Sequence, residues 1–444
     1  MVKNILRSVK SNRVFDTSGR TQISGSTGAA LSWVLPGALI DANFATGEFY
    51  GNYALSITRA STSSLTWANG LITYTPASTI ANSNLGVAAF GSAANICLQS
   101  QFAATWTATR STVTANTVAS PDTTTNAATL IEDATATNTH LTVQAFVKAA
   151  SALPYTFSVY AKQSTRTRIM LQLDDNASNG ATAGFDLAGG QIAYAAAGIG
   201  TPYTSISAYI QAFSNGWCRC TLIATSNTAT AQNASVYLDN GSGTAAQSTT
   251  YSGNGTSGVQ IWGAQLQQDA LACAGQYTAT TTIAVTRNTD VLLLTVPPSF
   301  GTSYTLFAQG VPHASITNTA TQAILGADDN STNNRLYLER VLTAGTGQVR
   351  NVSGASTTTL STANTWTQFT SMKIAASTIA GAQRAVLNNG TAVTGAGSLP
   401  IAVSIVRLNT TSSAGGGNWN GYIQRIAIWP TVALPAATLQ SITI

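Results

Sequence analysis

Short stretches in which apolar and polar residues alternate recur along this chain. From Phe157 to Ala161 the apolar side chains occupy every second position, and residues 258–266 repeat that pattern. A two-residue period is typical of β-strands that bury one face. An Asn69-Gly70 pair between two apolar stretches also predicts a tight hairpin turn. The pattern therefore favours an all-β protein.

The composition agrees with that fold class. Only 8% of the 444 residues are Asp, Glu, Lys or Arg, whereas soluble domains average about 25%. Thr, Ser, Asn and Gln must supply the polar surface, and these residues suit strand faces and turns. The net charge of +5 is concentrated in residues 1–20, which hold five basic residues and one acidic residue. The remainder is nearly neutral, so we expect no nucleic-acid binding.

The four cysteines, Cys97, Cys218, Cys220 and Cys273, lack zinc-type spacing, and we interpret them as buried free thiols. No run of 18 apolar residues predicts membrane insertion. The polar residues that follow the basic N-terminus do not resemble a secretory signal.

Several motifs in a fixed order resemble a known family. They are Ile57-Thr-Arg-Ala-Ser61, Asn95-Ile-Cys-Leu-Gln-Ser100, Phe157-Ser-Val-Tyr-Ala-Lys162, Gly216-Trp-Cys-Arg219 and Trp262-Gly-Ala-Gln-Leu266. The set is similar to the carbohydrate-binding-like β-sandwich of bacteriophage virion proteins, the head spike and tail fibre domains. Cys218 and Gln267 depart from the family pattern, which has a Tyr and an acid there.

The C-terminal end resembles a second group, the laminin-G or concanavalin-like sandwiches. The matching residues are Gly421, Ile423, Ile428, Trp429, Leu434 and Leu439. In that group they form a closing strand and a short helix. The resemblances imply tandem jelly-roll β-sandwich domains with a short N-terminal arm or helix. The expected division is an attachment arm over 1–30, a leader or connector over 31–100, a carbohydrate-binding-like sandwich over 101–290 and a concanavalin-like sandwich over 291–444.

The resemblance also implies a function. We expect a spike or fibre on the virion surface, assembled in the host cytoplasm and usually homotrimeric in this class. Its expected partners are other head or tail proteins and the host surface polysaccharide. The apolar residues of the N-terminal segment fall on one helical face, so Ile5, Leu6, Arg7 and Val9 are candidates for virion attachment; a frayed terminus is the alternative. Two other roles stay open, a structural decoration or cement protein and a glycan-degrading tailspike.

Catalytic chemistry finds little support in the sequence. The two histidines, His140 and His313, have no Gly-x-Ser-x-Gly motif beside them. A glycosidase needs two carboxylates at a fixed separation, and adjacent acids such as Asp174 and Asp175 would point to opposite faces of a strand. We expect no enzyme activity.

Two kinds of binding residue are candidates. Asp328, Asp329 and Asn330, and in second place Asp174, Asp175 and Asn176, could hold calcium on a turn, although Asp and Asn also simply favour turns. The aromatic candidates near loops are Tyr203, Tyr209, Tyr251, Tyr337 and Trp419. We expect these to contact glycan, and the tryptophans inside strand patterns, Trp217, Trp262, Trp366 and Trp429, to be core residues.

Overall fold

The structure is a computed structural model. It describes residues 13–15, 21–23, 34–51, 53–103, 105–135, 137–200, 203–243, 250–268, 276–295, 299–313, 321–341, 344–354, 356–400, 402–411 and 416–444. These residues form 34 strands and one helix, so the predicted all-β class is confirmed. None of the described helical segments is long and apolar enough to cross a membrane.

The first eleven strands lie in the N-terminal quarter of the chain. They are β1 Arg13–Phe15, β2 Thr21–Ile23, β3 Ile40–Asn43, β4 Glu48–Tyr50, β5 Ala54–Thr58, β6 Ser63–Thr66, β7 Ile72–Thr75, β8 Asn82–Ser83, β9 Gly86–Ala89, β10 Ala93–Asn95 and β11 Thr107–Thr109. The next twelve are β12 Ser111–Val118, β13 Ala127–Glu132, β14 Leu141–Val147, β15 Pro154–Gln163, β16 Arg168–Asp174, β17 Gly180–Asp186, β18 Gln191–Ile199, β19 Thr204–Ala212, β20 Trp217–Thr225, β21 Ala231–Asp239, β22 Gly258–Gln268 and β23 Val285–Arg287. The remaining elements are β24 Val291–Thr295, β25 Ser303–Pro312, β26 Thr321–Asp328, β27 Asn334–Val341, β28 Thr346–Ser353, β29 Ser356–Thr365, β30 Met372–Ile379, β31 Ala382–Leu387, β32 Val393–Gly395, β33 Ile405–Leu408, β34 Gly421–Trp429 and α1 Ala436–Ile442.

The chain divides into two compact units. The central unit comprises Thr66–Tyr74 and Ala93–Arg287, and the C-terminal unit comprises Met1–Leu65, Thr75–Ser92 and Asn288–Ile444. Each unit has its own large hydrophobic core. The two units are therefore described separately below.

The central unit is a sandwich of two six-stranded sheets. Sheet I has the order β11-β14-β21-β16-β17-β18, and sheet II has the order β12-β13-β22-β15-β20-β19. Phe157 and Val159 of β15 pack in one core with Ile169 and Leu171 of β16, all fully buried. Because successive side chains on a strand point to opposite faces, the intervening residues lie on the outer sides of the sheets. The alternation predicted from Phe157 to Ala161 is confirmed, whereas in β22 a bulge near Gly263 brings Ala264 and Leu266 into the core beside Val259 and Ile261.

The outer side of sheet II is also covered. A second cluster of buried residues there consists of Ile72, Ala127, Tyr160, Trp217, Trp262 and Tyr277. Trp217 and Trp262 are 3% and 0% exposed, as predicted for core residues. The tryptophans of this face are therefore not available to solvent.

The C-terminal unit is a second sandwich. Sheet III has the order β29-β28-β27-β26-β33-β24-β5, and sheet IV follows the path β32-β31-β30-β25-β34-β3-β4, with β9 also paired to β34. Helix α1 packs against the outer side of sheet IV through Leu439, which lies in one cluster with Phe307 and Trp429. The closing strand and short helix expected at the C-terminal end are both present.

The segment predicted as a separate leader, residues 31–100, contributes strands to this sandwich. β3 pairs with β34 and β5 pairs with β24, across more than two hundred residues of sequence. Local patterning showed that these stretches are strands, but the partner of a strand is set by long-range pairing that periodicity does not encode. Strands β3, β5 and β9 thus belong to the same core as the C-terminal sandwich, whereas β10 belongs to the central unit.

A buried ion pair fixes this long-range connection. Arg59, the arginine of the Ile-Thr-Arg-Ala-Ser motif, donates from Nη1 to Asp290 Oδ1 at 2.8 Å, and both side chains are fully buried. Arg59 also donates to the carbonyl oxygens of Ser61, Pro76 and Thr79. The backbone N–H of Phe90 donates to the other oxygen of Asp290 at 2.9 Å. The motif is therefore structural.

The two sandwiches share a strand topology. In the central unit β22, β15 and β20 are neighbours, and β21, β16, β17 and β18 follow one another in the other sheet. In the C-terminal unit β34, β25 and β30 are neighbours, and β33, β26, β27 and β28 follow one another. The hairpins β16–β17 and β26–β27, whose sequences echo each other, occupy corresponding positions. The structure thus contains the same scaffold twice.

Candidate functional site

Four of the five aromatic residues predicted to contact sugar are buried. Their exposed fractions are 8% for Tyr203, 6% for Tyr251, and 0% for both Tyr337 and Trp419. Tyr209 is half-buried on β19, the edge strand of sheet II. The predicted attachment residues Ile5, Leu6, Arg7 and Val9 lie outside the described residues.

The buried aromatic residues satisfy internal hydrogen bonds. The hydroxyl of Tyr251 donates to Glu132 at 2.7 Å, and that of Tyr337 donates to Asp328 at 2.8 Å. Trp419 Nε1 donates to the carbonyl oxygen of Tyr422 at 3.2 Å, and the hydroxyl of Tyr203 donates to Gln232. A ring held inside the core cannot stack on a sugar. These four residues are thus structural, which corrects the prediction made from their position near loops.

The first predicted calcium turn is occupied by a guanidinium group. Arg407 Nε lies 2.6 Å from Asp328 Oδ2, and its Nη2 lies 2.6 Å from Asn330 Oδ1. Asp329 accepts hydrogen bonds from Ser331 and from Asn334, and the Ser331 side chain lowers the pKa of its carboxyl most. Arg407 already places positive charge on the oxygens that a cation would need. The described residues contain no group of three or more His, Cys, Asp or Glu arranged to hold a metal ion.

The second predicted calcium turn is satisfied by amide groups. Asp174 accepts from the side-chain amides of Gln172 and Asn233 at 2.9 Å each. Asp175 accepts from those of Asn179 at 2.7 Å and Asn227 at 2.8 Å. Although burial raises the pKa of the Asp175 carboxyl, these hydrogen bonds lower it overall.

The groups considered for catalysis are also engaged in packing. Arg166 bonds both oxygens of Glu132, at 2.9 and 2.6 Å. His140 is fully buried, and its Nδ1 lies 2.6 Å from the carbonyl oxygen of Arg110. His313 packs edge-to-face against the aromatic ring of Phe90, with ring centroids 5.6 Å apart. In each case the contacts are those of a structural side chain.

The strongest candidate site is the outer side of sheet I, which we call the Tyr194 face. Strand register places its side chains in rows that cross the sheet. The central row is Leu141, Tyr237, Met170, Gly184 and Tyr194. Polar rows flank it, with Ser235, Gln172 and Thr182 on one side and Asp239, Arg168 and Asp186 on the other. An apolar, aromatic stripe between two polar rows results.

Tyr194 lies flat on this face. A Cβ atom added to Gly184 would lie 2.2 Å from the Tyr194 ring, so the ring sits directly over the glycine. Tyr194 is half-buried, and packs with Met170, Tyr237 and Leu141. A flat, partly exposed ring is the geometry that stacking on the apolar face of a ligand requires.

Polar atoms without partners surround the ring. Gln172 Oε1, Thr182 Oγ1, Tyr194 Oη and Asp239 Oδ2 are buried and find no hydrogen-bond partner among the described residues. Buried polar atoms are normally hydrogen-bonded, so a cluster of exceptions requires an explanation. These four atoms comprise acceptors and hydroxyls that both donate and accept. A ligand rich in hydroxyl groups matches that set.

Burial controls the ionisation of the two tyrosines. It raises the pKa of the Tyr194 hydroxyl, with Asp239 adding to the effect and Arg168 opposing it. Burial also raises the pKa of Tyr237 to about 12, with Asp174 adding to the effect and Gln172 opposing it. Both hydroxyls therefore stay neutral near pH 7 and can act as donors.

The C-terminal unit contains a similar contact between a tyrosine ring and a glycine, on the neighbouring strands β26 and β27. A Cβ atom on Gly326 would lie 1.8 Å from the Tyr337 ring, so Tyr337 covers its glycine as Tyr194 does. The guanidinium of Arg335 lies 5.6 Å from the Tyr337 ring centroid and covers it in turn. The ring that covers a glycine is thus partly exposed in the central unit and fully buried in the C-terminal unit.

We compared the chain with protein families, curated proteins and solved structures. No family model matches the chain, and no curated protein matches it. The CBM40 module of the Ruminococcus gnavus IT-sialidase, bound to α2,3-sialyllactose, is 15% identical over 32% of this chain and 82% of its own, with a TM-score of 0.28. Domains LG4-5 of the mouse laminin α1 chain are 10% identical over 68% of this chain and 88% of their own, with a TM-score of 0.24. At these values the similarities carry no argument about ligands.

Sequence reasoning missed the Tyr194 face. β18 has the composition Gln-Ile-Ala-Tyr-Ala-Ala-Ala-Gly-Ile, and its register to β17 shifts near Gly184. A shift moves side chains from one face to the other, so a simple two-residue period does not assign Tyr194 to a side. The one available signal was an isolated glycine inside a strand, which indicates close approach of another group.

Proposed function

We propose that this protein binds glycans through the Tyr194 face, as a spike or fibre displayed on a bacteriophage virion. The observation that carries the binding proposal is the half-buried Tyr194 ring over Gly184, bordered by polar atoms without partners. A sugar presents an apolar C–H face to such a ring and hydroxyl groups to the atoms around it. The motif resemblance supports the virion setting.

Binding on this face requires small side-chain movements. The four polar atoms lie within the side-chain layer, while the Tyr194 ring above them is half-buried and its hydroxyl is not anchored by a described residue. Rotamer changes of this size are common when a ligand binds. Each site is then weak, and several copies on one particle would raise the overall affinity.

The test uses the full-length, fluorescently labelled protein with candidate host cells and their extracted surface polysaccharide. Retention and polysaccharide chain length are both followed. We expect retention without shortening, and we expect Tyr194→Ala to reduce it strongly. The matched control is Tyr74→Ala, since Tyr74 is a 45% exposed tyrosine of the same unit whose hydroxyl bonds Asp122 outside the Tyr194 face.

Three outcomes would overturn the proposal. Shortening of the polysaccharide would identify an enzyme. Undiminished retention of Tyr194→Ala would place the binding surface elsewhere, and absence of retention on a host that the virion infects would favour a structural decoration protein.

A further inference from the structure

The outer side of sheet III carries two basic residues and one acidic residue, Arg335, Arg350 and Glu339. We call them the Arg335–Arg350 cluster. Arg335 and Glu339 lie on the same face of β27, with Tyr337 between them. Arg350 lies opposite Tyr337 on β28. Two guanidinium groups therefore share a single carboxyl group.

Glu339 lies beside Arg350 and within the electrostatic range of Arg335. Its side chain is fully buried, whereas that of Arg350 is 28% exposed. Arg350 Nε lies 3.1 Å from Glu339 Oε2, yet neither oxygen of Glu339 makes a well-aligned hydrogen bond to a described residue. The carboxyl is thus held in an ion pair of poor geometry.

Arg335 forms no ion pair with a carboxylate among the described residues. Its guanidinium rests on the Tyr337 ring, and its Nε is buried without a hydrogen-bond partner among the described residues. The other described acid on this face, Asp328, is already paired with Arg407. A planar, half-buried guanidinium without a dedicated carboxylate is suited to bind an anion.

We propose that Arg335 and Arg350 bind an anionic group of a glycan, either a sugar carboxylate or a sulfate ester, on the outer side of sheet III. The glycan nature of the ligand rests on the proposed function, but the site lies in the other unit and is independent of Tyr194. The anion would approach the exposed side of the two guanidinium groups, opposite Glu339.

Protonation of Glu339 regulates this site. Burial raises the pKa of Glu339 to about 7, although Arg350 and Arg335 oppose that rise. No other charged residue occurs on β26 or β29, except Asp328 at the far end of β26, where it is paired with Arg407. When Glu339 is neutral, both arginines are available to the ligand; when it is ionised, it competes with the ligand for them. Affinity should therefore rise as the pH falls through 7.

The experiment measures binding of D-glucuronate, inorganic sulfate and D-glucose to the full-length protein by calorimetry at pH 6 and pH 8. If only the protonated form binds well, the affinity for the anion falls about tenfold between pH 6 and pH 8. Glucuronate binding alone would identify a carboxylate site, and sulfate binding a sulfate site. Glucose should not bind here.

Three variants make the test specific. Arg335→Gln and Arg350→Gln should each weaken anion binding by about tenfold or more. Glu339→Gln keeps the side-chain shape and should bind at pH 8 as tightly as the wild type does at pH 6. Anion binding no tighter than that of glucose, binding unaffected by Arg350→Gln, or an unchanged pH dependence in Glu339→Gln would each overturn the proposal. Polysaccharide retention by Tyr194→Ala is a separate readout, so the two proposals fail separately.

Discussion

Replacement of Thr182 by valine should stabilise the central unit and weaken glycan binding. Thr182 is fully buried on the Tyr194 face, and its hydroxyl has no partner among the described residues. Valine has nearly the same shape but no polar atom. A buried hydroxyl without a partner costs about 1–3 kcal/mol in protein mutation data. We therefore expect the free energy of unfolding to rise by about 1 kcal/mol.

The same structure provides a matched control. Thr221 is equally buried on the outer side of sheet II, and its hydroxyl also lacks a described partner. Thr221→Val should give a similar gain in stability without any effect on binding. Scanning calorimetry measures the first quantity, and a gain of 1 kcal/mol corresponds to about 2–4 °C for a unit of roughly 200 residues.

Polysaccharide binding should distinguish Thr182→Val from Thr221→Val. Loss of one neutral hydrogen bond to a ligand hydroxyl costs about 0.5–1.5 kcal/mol, or about 2- to 10-fold in affinity. Polysaccharide retention should fall by this factor in Thr182→Val only. Equal retention in both variants would refute the Tyr194 face as the binding surface, and destabilisation by Thr182→Val would show that its hydroxyl is hydrogen-bonded in the folded protein.

Further predictions test other parts of the structure. Gly326→Ala should destabilise the C-terminal unit by about 2–4 kcal/mol, because the new methyl group meets the anchored Tyr337 ring; Gly184→Ala should cost less but displace Tyr194 and reduce retention. Arg59→Ala should cost about 3–5 kcal/mol by removing the guanidinium partner of the buried Asp290 carboxylate, as measured by denaturant unfolding. Burial raises the pKa of Glu339 from 4.5 to about 7, so the folded state binds the Glu339 proton more tightly than the unfolded state does. The free energy of unfolding should therefore fall as the pH rises from 4.5 to about 7. Glu339→Gln should make the free energy of unfolding less dependent on pH in this range. Millimolar calcium should leave the melting temperature unchanged, because Arg407 already binds Asp328 and Asn330. A clear rise in the melting temperature would instead support a calcium site on this turn.

The sequence predicted the local structure well where a short pattern decides it. Both Asp-Asp-Asn segments were predicted to lie on turns, and they form the same hydrogen bonds: Asn176 N–H donates to Asp174 at 2.9 Å, and Asn330 N–H donates to Asp328 at 2.7 Å. Such turns depend only on neighbouring residues. Their partners in space, such as Arg407, come from a strand far along the chain and could not be predicted.

The sites were harder to predict for a related reason. Whether a tyrosine near a strand end faces solvent or the core depends on register, and bulges alter the register of β17–β18 and β26–β27. Tyr337 does lie on the outer side of sheet III, but it is buried there because Arg335 covers its ring. Tyr194 was overlooked, although it is the partly exposed ring.

Several of the few acidic residues are buried in ion pairs. Five of them form ion pairs in which the acidic side chain is at most 1% exposed: Asp41 with Arg425, Glu132 with Arg166, Asp290 with Arg59, Asp328 with Arg407, and Glu339 with Arg350. Charge that is paired inside the protein contributes little to the field outside it. Recognition by the nearly neutral body must then depend on stacking and short-range hydrogen bonds, which suits a hydroxyl-rich ligand better than a polyanion such as nucleic acid. The Arg335–Arg350 cluster departs from this pairing, because two arginines there share one carboxyl whose pKa is about 7. Under the proposed function, that imbalance would distinguish acidic from neutral sugars.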